Sequence, residues 1–400
     1  MRKKTLDDVE LKGLRVLMRV DFNVPLSKRG DVADDTRIRA ALPSIDHIVG
    51  GGASLVLMSH LGRPKGRRDP SMSLEVVAYH LGGLIDHPVK FVEECVGEEA
   101  QSVAQALKPG EILLLENLRF HEEETENDPD FAEKLSRFGD LYVNDAFGTA
   151  HRAHASTEGV THHFEERVAG FLMEREIETL EGLLTEPERP FVALIGGAKV
   201  SGKIGVIENL LERVDRILVG GGMAYTFFKA VGLEVGASLV DEKSLDLCRK
   251  VMDQSAGGKE RKIFLPVDTI VAKGIDDDSD MKTVSTGDMP EGLVGVDIGG
   301  KTVDVFTAEL RKAKTIFWNG PMGVFEEPSF SEGTKRIARV VAEMTGQGAK
   351  TVVGGGDSVA ALNELRLKER ITHVSTGGGA SLELLEGKKL PGVEALSDAS

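Results

Sequence analysis

The chain has 400 residues, of which 41% are hydrophobic and 28% are charged. A chain of this length exceeds what one hydrophobic core usually supports, so we expect two domains. Its formal net charge of −16 argues against nucleic acid as a partner. Residues 1–70 depart from this balance, with 14 Lys and Arg against 9 Asp and Glu. This local excess is typical either of scattered surface lysines or of a site for a small anion.

The two cysteines, Cys95 and Cys248, are far apart in the sequence and form no metal-ligand or redox pair. No segment approaches the ~18 consecutive apolar residues of a membrane span, so we expect no membrane partner. The basic start at residues 2–4 continues into acidic residues rather than into an apolar run. These features predict a cytoplasmic protein.

Short aliphatic runs alternate with amphipathic stretches from end to end of the chain. Such runs fit strands covered on both faces, and the alternation predicts an α/β protein with parallel sheets in doubly wound layers. Strands are predicted at 15–20, 54–58, 111–115 and 141–143, and then at 191–195, 216–219, 263–266, 315–317, 351–353 and 373–374. Helices are predicted at 208–213 and 357–365, and exposed loops at 257–258 and 276–280.

A domain boundary is predicted near the middle of the chain. Residues 173–184 form a helical pattern whose apolar side carries Ile177, Leu180 and Leu184. The pattern ends at the proline-punctuated segment 186–190. We therefore expect one domain at 1–172, a connecting helix and hinge at 173–190, and a second domain at 191–390.

Four predicted strands of the second half run directly into glycines and then into a helical pattern. Glycine lets the backbone approach a ligand closely, and a following helix start offers unpaired N–H groups. Since the carboxyl ends of parallel strands meet at one edge, these turns predict a phosphate-bearing ligand there. The turns are Gly196–Gly197, Gly220–Gly222, Gly354–Gly356 and Gly377–Gly379. Asp357 follows one of them, as either a helix N-cap or a magnesium ligand.

Lys203 ends the segment G-A-K-V-S-G-K, which is one hydroxyl short of a P-loop. Ile204 stands where the Ser or Thr that would hold magnesium is required, which disfavours a P-loop NTPase. A dinucleotide-dependent oxidoreductase is also disfavoured, because no glycine turn has the G-x-G-x-x-G spacing. A non-catalytic nucleotide-binding module remains as an alternative at this point.

Basic side chains follow several predicted strands of the first half, where strand ends converge. Arginine there could bind carboxylate or phosphate with two hydrogen bonds, although each residue alone could be a surface ion pair. We found no catalytic triad or metal-binding histidine cluster, so anion binding on both halves favours phosphoryl transfer. The cluster comprises Arg19, Arg37, Arg63, Arg119 and Arg152, with His60, His151 and His154.

Longer motifs of the chain closely resemble the signatures of the phosphoglycerate kinase family, in the family's order. In the first half they are R-V-D-F-N-V-P at 19–25, S-H-L-G-R-P at 59–64, E-N-L-R-F at 116–120 and N-D-A-F-G-T-A-H-R-A-H-A-S at 144–156. In the second half they are W-N-G-P-M-G-V-F-E at 318–326, G-G-G-D-S at 354–358 and S-T-G-G-G-A-S at 375–381.

The resemblance implies reversible phosphoryl transfer between 1,3-bisphosphoglycerate and ADP, giving 3-phosphoglycerate and ATP, with Mg²⁺ as cofactor. It implies a monomer of two Rossmann-like domains, with parallel sheets covered by helices, joined by the connecting helix. The triose would bind the first domain and the Mg-nucleotide the second. The tail at 391–400 would pack back on the first domain.

The resemblance also assigns roles residue by residue. The triose would be held by Asp21, Asn23, Arg37, His60, Leu61, Gly62, Arg63, Arg119 and Arg152. The nucleotide would contact Lys199, Lys203, Gly299, Asn319, Pro321, Glu326, Gly354, Gly355, Gly356, Asp357 and Ser358, with Asp357 as the metal ligand. Arg37, Lys203 and Gly378 would act in catalysis. Gly202 and Gly300 depart from the family's usual Asp and Pro, which puts nucleotide affinity and loop rigidity in doubt.

If the two ligands bind separate domains, closure about the connecting helix must join them. We therefore expect that breaking the helix predicted at 173–184, for example with Leu180→Pro, lowers kcat more than it weakens the binding of either substrate. Steady-state kinetics test this expectation. An unchanged kcat with a raised KM would count against it.

Overall fold

The computed structural model describes residues 2–257 and 261–399, so Gly258 of the predicted loop lies outside the described residues. The chain forms two compact units. Unit 1 extends to Glu178 and includes the segment from Lys389 onward, and unit 2 extends from Thr179 to Lys388. Both units are built on a parallel sheet covered by helices, so the predicted α/β class is confirmed.

In the described part of unit 1, six parallel strands form a sheet in the order β3-β4-β2-β1-β5-β6. The central strands are aliphatic on both faces and are buried, as expected for a sheet between two helical layers. The strands are β1 (Arg15–Arg19), β2 (Ser54–Met58), β3 (Val89–Val92), β4 (Ile112–Leu115), β5 (Leu141–Asn144) and β6 (Arg167–Ala169).

Helices of unit 1 begin where the sequence supplies local caps. One begins after Asp128, whose carboxylate accepts a hydrogen bond from the Phe131 N–H at 2.8 Å, and Pro129 is its first residue. The helices are α1 (Thr36–Gly50), α2 (Glu75–Gly82), α3 (Glu98–Gln105), α4 (Glu122–Glu126) and α5 (Pro129–Ser136), and α6 (Phe171–Thr185) begins in unit 1 and continues into unit 2.

Unit 2 contains a second parallel sheet, with the order β15-β14-β13-β7-β8-β9 among the described residues. All of its strands point the same way, so the four predicted glycine turns lie at its carboxyl edge. Its strands are β7 (Phe191–Ile195), β8 (Arg216–Val219), β9 (Ile263–Phe264), β13 (Thr315–Asn319), β14 (Lys350–Gly354) and β15 (His373–Val374).

An antiparallel sheet in unit 2 was not predicted. It joins β10 (Asp268–Ala272), β11 (Lys282–Ser285) and β12 (Val294–Ile298) in the order β11-β10-β12. Strand β11 is mostly exposed and polar, and the pairing of β10 with β12 is interrupted between Ile270 and Val271. These strands therefore lack the continuous aliphatic run by which the buried strands were recognised.

Helices cover the sheet of unit 2. The described ones are α7 (Ile204–Leu211), α8 (Met223–Ala230), α9 (Leu245–Ala256), α10 (Gly300–Leu310), α11 (Glu332–Gly346), α12 (Gly356–Glu364) and α13 (Gly379–Leu385). The last described helix, α14 (Pro391–Glu394), follows in the tail that belongs to unit 1.

The strand predictions differ from the structure mainly at element ends. The strand predicted at 263–266 stops at Phe264, and the strand predicted at 315–317 continues to Asn319. Strands β3 and β6 were missed because β3 is short and half-exposed and β6 has three residues. Helix α7 ends two residues before the predicted 208–213 segment does and begins four residues earlier.

Helix α6 contains the division between the two units, between Glu178 and Thr179. The division between the compact units thus falls inside the segment 173–190, which we predicted as connecting helix and hinge. The start of this helix is tied to the loop after β5, because the Asp145 carboxylate accepts hydrogen bonds from the Leu172 and Met173 N–H groups at 2.9 and 3.0 Å.

The tail from Lys389 contacts unit 1 through backbone hydrogen bonds. The Gly392 N–H donates to the Ala150 carbonyl at 2.9 Å, and the Ser397 N–H donates to the Arg167 carbonyl at 2.8 Å. An ion pair between Lys3 and Asp398 at 2.8 Å adds a side-chain contact. Segments from the two ends of the sequence therefore meet within unit 1.

Gly139 lets the chain enter β5 close against β1. A β-carbon at Gly139 would lie 2.7 Å from the backbone nitrogen of Leu17, so Gly139→Ala should force a backbone shift. We expect the free energy of unfolding to fall by about 1–3 kcal/mol, measured by chemical denaturation.

The matched control is Gly346→Ala at the end of α11, where a β-carbon would meet no atom within 4 Å. This control should be neutral or stabilising by up to about 1 kcal/mol, because alanine favours helix. Equal stability of the two variants would contradict the close approach of β5 to β1.

Candidate functional site

The basic residues of unit 1 gather at the carboxyl edge of its sheet. Arg19 ends β1, His60 follows β2, and Arg119 follows β4 in a short turn. Strands β1, β2 and β4 are neighbours, so these three side chains are brought to one place. Arg19, His60 and Arg119 therefore come together at the strand ends, as predicted for the basic cluster.

Arg19 is fully buried and hydrogen-bonded on each of its three nitrogens. Its Nε donates to the Ser156 hydroxyl at 2.8 Å, one terminal nitrogen donates to the Val20 carbonyl, and the other contacts His60 Nδ1 at 3.1 Å. A buried guanidinium without such partners would be strongly destabilising. Its position below the surface makes Arg19 a support for the site rather than a ligand-facing group.

The loop after β2 is held by two amide side chains. The Gly62 N–H donates to Asn23 Oδ1 at 2.9 Å. Asn117, which sequence reasoning did not single out, is fully buried and both accepts from the Leu61 N–H and donates to the Leu61 carbonyl. These bonds hold the backbone of Leu61 and Gly62, both predicted to contact the triose, in a fixed loop.

Arg37 contacts Asp21 and Asn23, which precede it in the chain. Its guanidinium pairs with the Asp21 carboxylate at 3.0 Å and donates to the Asn23 carbonyl at 3.2 Å. More than a third of the Arg37 side chain is exposed, so it can still meet a ligand. Asp21, Asn23 and Arg37, all predicted to hold the triose, therefore form one local group.

Three of the predicted arginines line a common cavity of about 440 Å³. Arg63 and Arg152 are exposed on its wall, and Arg119 is half-buried and donates to the Gly62 carbonyl at 2.8 Å. Lys65 adds a further cation, which sequence reasoning missed. A cavity lined by arginine forks is suited to carboxylate and phosphate groups.

The charges of this region alter the protonation of its neighbours. Burial, followed by the charges of Arg19 and Arg119, holds the pKa of His60 well below its ordinary value. The same causes lower the pKa of His154 to about 4, and burial together with Arg19 lowers the pKa of Arg119 to about 10. Both histidines are therefore neutral at pH 7, and the positive charge resides on arginine.

Two of the predicted glycine turns of unit 2, at Gly196–Gly197 and Gly220–Gly222, pack against the turn at 320–322 at the carboxyl edge of the sheet. The Gly197 N–H donates to the Pro321 carbonyl and the Gly221 N–H to the Met322 carbonyl, both at 2.9 Å. A β-carbon at Gly196 or at Gly320 would overlap the backbone of the facing turn. Glycine is thus required for the turns to approach one another this closely.

Lys203 is held between two of these turns. Its ammonium donates to the Gly196 carbonyl at 2.7 Å and to the Asn319 carbonyl at 3.2 Å. Burial lowers its pKa to about 8, and the nearby charge of Asp357 opposes this shift. Lys203 is accordingly a fixed and largely protonated cation at neutral pH.

A cavity of about 530 Å³ opens beside these turns within unit 2. Of the residues predicted to contact nucleotide, Pro321, Glu326 and Asp357 line it. Its other walls are mainly apolar and come from the turns, α8 and the antiparallel sheet. They include Tyr225, Leu239, Ile275, Val296 and Met322. A mostly apolar cavity with a few polar groups is typical of a small-molecule site.

The remaining predicted nucleotide residues do not line this cavity. Ser358 is buried, and its hydroxyl accepts a hydrogen bond from the Gly320 N–H at 2.7 Å. Gly299 donates its N–H to the backbone carbonyl of Asp268, and the side-chain carboxylate of Asp268 leaves no room for a side chain at Gly299. These two residues support the loops. The others outside the lining are Lys199, Lys203, Asn319, Gly354, Gly355 and Gly356.

Asn319 has a buried side-chain amide nitrogen without a hydrogen-bond partner among the described residues. It lies against the Gly354–Gly355 turn. A buried unpaired donor costs about 1–3 kcal/mol. A hydrogen bond from this amide to a ligand oxygen would remove that cost, which fits the predicted nucleotide-binding role of Asn319.

Asp357 fits the predicted role of metal ligand. It is the second residue of α12, is exposed, lines the same cavity and accepts no hydrogen bond from another described residue. The described residues contain no group of three or more His, Cys, Asp and Glu side chains that could hold a metal. Because Mg²⁺ is commonly held by one or two carboxylates together with substrate phosphates, one free carboxylate beside the cavity suits this ion.

Three glycines of interest have open space around them: Gly378, predicted to act in catalysis, and Gly202 and Gly300, which depart from the family pattern. Gly378 precedes α13 with a φ of +54°, and a β-carbon there would meet no atom within 4 Å. The same space exists at Gly202 and Gly300. Sterics therefore do not require glycine at the two departing positions.

Asp297 is a buried carboxylate of the second cavity that sequence reasoning missed. Burial raises its pKa to about 7, although it accepts hydrogen bonds from the Ile298 and Gly333 N–H groups at 2.8 and 2.7 Å. Ile298 is the next residue, but Gly333 lies 36 residues further along the chain, so no local motif could have identified this contact.

Helix-covered parallel sheets with anion sites at their carboxyl edges define a class of phosphate-binding α/β proteins. A sequence profile of the family described as phosphoglycerate kinase matches residues 6–388. The phosphoglycerate kinase of Chlorobium phaeobacteroides is 54% identical over 398 residues and is covered, like this chain, to 100%. The chain therefore belongs to the phosphoglycerate kinase family.

Solved structures of the family agree with this assignment. The phosphoglycerate kinase from Coxiella burnetii superposes with a TM-score of 0.86 at 38% identity, over 98% of each chain. The one from Pyrococcus horikoshii gives 0.84 at 34% identity, also over 98% of each chain. Among the described residues, no helix is both long and apolar enough to span a membrane.

The lowered pKa of Lys203 can be measured by NMR titration of ¹³Cε-labelled lysine, with the signal assigned by its loss in Lys203→Met. We expect a midpoint of about 8, because burial disfavours the ammonium. Asp357→Asn should lower the midpoint further, since it removes the charge that favours the ammonium. A midpoint above about 10 would contradict the buried position of the ammonium.

Proposed function

We propose that this protein is a glycolytic phosphoglycerate kinase that transfers a phosphoryl group reversibly between 1,3-bisphosphoglycerate and ADP. The observation that carries the proposal is the pair of anion sites, one at the sheet edge of each unit. The arginine-lined cavity of unit 1 suits a small polyanion, and the apolar cavity beside Lys203 in unit 2 suits a nucleotide.

In this proposal the first 172 residues carry the triose, together with the tail at 391–400. Arg63, Arg119 and Arg152 bind its charged groups with their guanidinium forks. Asp21, Asn23 and His60, with the backbone of Leu61 and Gly62, complete its contacts. Arg37 binds the triose and lies beside the transferred group.

The nucleotide binds in residues 191–390. Its base occupies the apolar part of the cavity, Glu326 takes the ribose hydroxyls, and Pro321 contacts the same moiety. Its phosphates meet Lys199, Asn319 and the turns that follow the strands. The residues that support or contact this end are Gly299, Gly354, Gly355, Gly356 and Ser358.

Transfer needs no general base, because the attacking oxygen is already an ionised carboxylate or phosphate. The residues must instead neutralise charge as two polyanions meet in line. Lys203 binds the moving phosphoryl group, Arg37 stabilises its other side, and Gly378 supports transition-state charge with backbone N–H groups. Asp357 would hold Mg²⁺, which when bound neutralises phosphate charge. A closing motion about residues 173–190 brings the two ligands together.

The proposal also includes the setting in which the enzyme works. It acts as a monomer in the cytoplasm, with small-molecule substrates rather than a macromolecular partner. The rival activity, a P-loop NTPase, lacks support because Ile204 offers no oxygen to a metal.

A coupled assay tests the function directly. The protein should form ADP from MgATP only when 3-phosphoglycerate is present. ATP hydrolysis independent of the triose would instead favour the NTPase. Nucleotide binding without any transfer, in folded protein, would favour the non-catalytic module.

The role of Asp357 predicts a changed magnesium requirement. Asp357→Asn should raise the Mg²⁺ concentration for half-maximal turnover by about tenfold or more, because one carboxylate ligand is lost. The KM for 3-phosphoglycerate should change little. Asp246→Asn, at an exposed aspartate of α9, is the matched control and should leave the requirement unchanged. An unaltered magnesium curve for Asp357→Asn would refute this metal site.

A further inference from the structure

A buried series of hydrogen bonds lies beneath the triose site and includes residues to which no role has been given so far. It runs from Glu124 to Ser156, then to Arg19, and ends at His60. The first three side chains are completely buried and His60 is 3% exposed. Because all four are removed from water, each proton must have a defined position.

The proton on His60 can be assigned from its partner. Arginine carries only donors, so the contact of 3.1 Å from Arg19 to His60 Nδ1 requires Nδ1 to be the acceptor. The ring is then neutral, with its hydrogen on Nε2. No other described residue hydrogen-bonds to this ring, so the Nε2–H donor is available to a ligand.

The same reasoning fixes the other end of the series. The Ser156 hydroxyl accepts from Arg19 Nε at 2.8 Å and donates its hydrogen to Glu124 Oε1 at 2.6 Å. The Ser156 N–H donates to Glu124 Oε2 at 2.9 Å. Burial raises the pKa of Glu124, but the charge of Arg19 and the two hydrogen bonds from Ser156 favour the ionised carboxylate, which balances the buried charge of Arg19.

The charged groups around His60 favour the neutral ring. Arg19, Arg37 and Arg119 all face it with positive charge, and His154 is a further titratable neighbour. A protonated imidazole would be repelled by these groups and could not accept from Arg19. A neutral Nε2–H, by contrast, adds a donor to the site without a further charge.

We propose that Arg19 is a positioning residue for the triose: it fixes His60 as the Nε2–H tautomer that donates to the anionic ligand, and Glu124 holds Arg19 in place through Ser156. The identity of the ligand rests on the proposed function. Lysine could not replace Arg19, because its single ammonium cannot reach Ser156, Val20 and His60 with a planar fork.

The tautomer can be observed in the free protein at pH 7 by long-range ¹H–¹⁵N NMR of the histidine rings. Comparison with His60→Gln assigns the signal. We expect His60 to show an unprotonated Nδ1 and a protonated Nε2. A proton on Nδ1, or on both nitrogens, would overturn the proposal.

Kinetics of Arg19→Lys separate positioning from general stability. We expect the KM for 3-phosphoglycerate to rise about tenfold, while the KM for MgATP stays within about twofold of wild type. Arg15→Lys is the matched control, because Arg15 begins the same strand and donates to the Phe138 carbonyl away from the site. This control should change neither KM nor the His60 spectrum.

Ser156→Ala provides a second test if Arg19→Lys fails to fold. Loss of the hydroxyl cuts the link to Glu124, so His60 should lose its single tautomer and the KM for 3-phosphoglycerate should rise. Wild-type values for both quantities would overturn the proposal. The spectrum requires no turnover, so an inactive wild-type enzyme would refute the proposed function, whereas an Nδ1–H tautomer in an active enzyme refutes only the role of Arg19.

Discussion

The close approach of glycine turns in unit 2 is the constraint on which the proposed phosphoryl-transfer site depends. The turns at Gly196, Gly221 and Gly320 lie so near one another that a β-carbon on any of them would meet the backbone of a neighbour. Because these turns touch, the carbonyls of Gly196 and Asn319 converge on the Lys203 ammonium. Lys203 can therefore be buried and still remain hydrogen-bonded and largely charged near neutral pH.

Unit 1 positions charge by a different means. Its cations are long arginine side chains. Buried polar groups, rather than closely packed glycine turns, hold the segments that carry them. Asn117 holds the loop that carries Leu61. Ser156 hydrogen-bonds to both Arg19 and Glu124 and so links the guanidinium to the buried carboxylate. Both units thus place cations at the edge where parallel strands end. This arrangement suits a reaction whose difficulty is the charge of its substrates.

The sequence predicted the parts of the molecule that have a local signature. Continuous aliphatic runs such as 54–58 and 191–195 matched buried strands, and the glycine turns after β7, β8, β14 and β15 share one edge. Strand β11 was missed because its residues are polar and exposed, so its pairing gives no periodic signal. Glu124 and Asp297 were missed because the fold alone brings them near Ser156 and Gly333, their hydrogen-bond partners. Family motifs supplied the remaining site residues, which spacing alone could not.

Replacement of Lys203 tests the central claim most directly. Turnover of Lys203→Ala is measured together with the affinities for MgADP and 3-phosphoglycerate, and the matched control is Lys262→Ala, which removes a half-buried lysine that donates to the Leu211 carbonyl. The account predicts that Lys203→Ala loses about a thousandfold or more in turnover while both ligands still bind, and that the control stays active. Turnover of Lys203→Ala within about tenfold of wild type would contradict it.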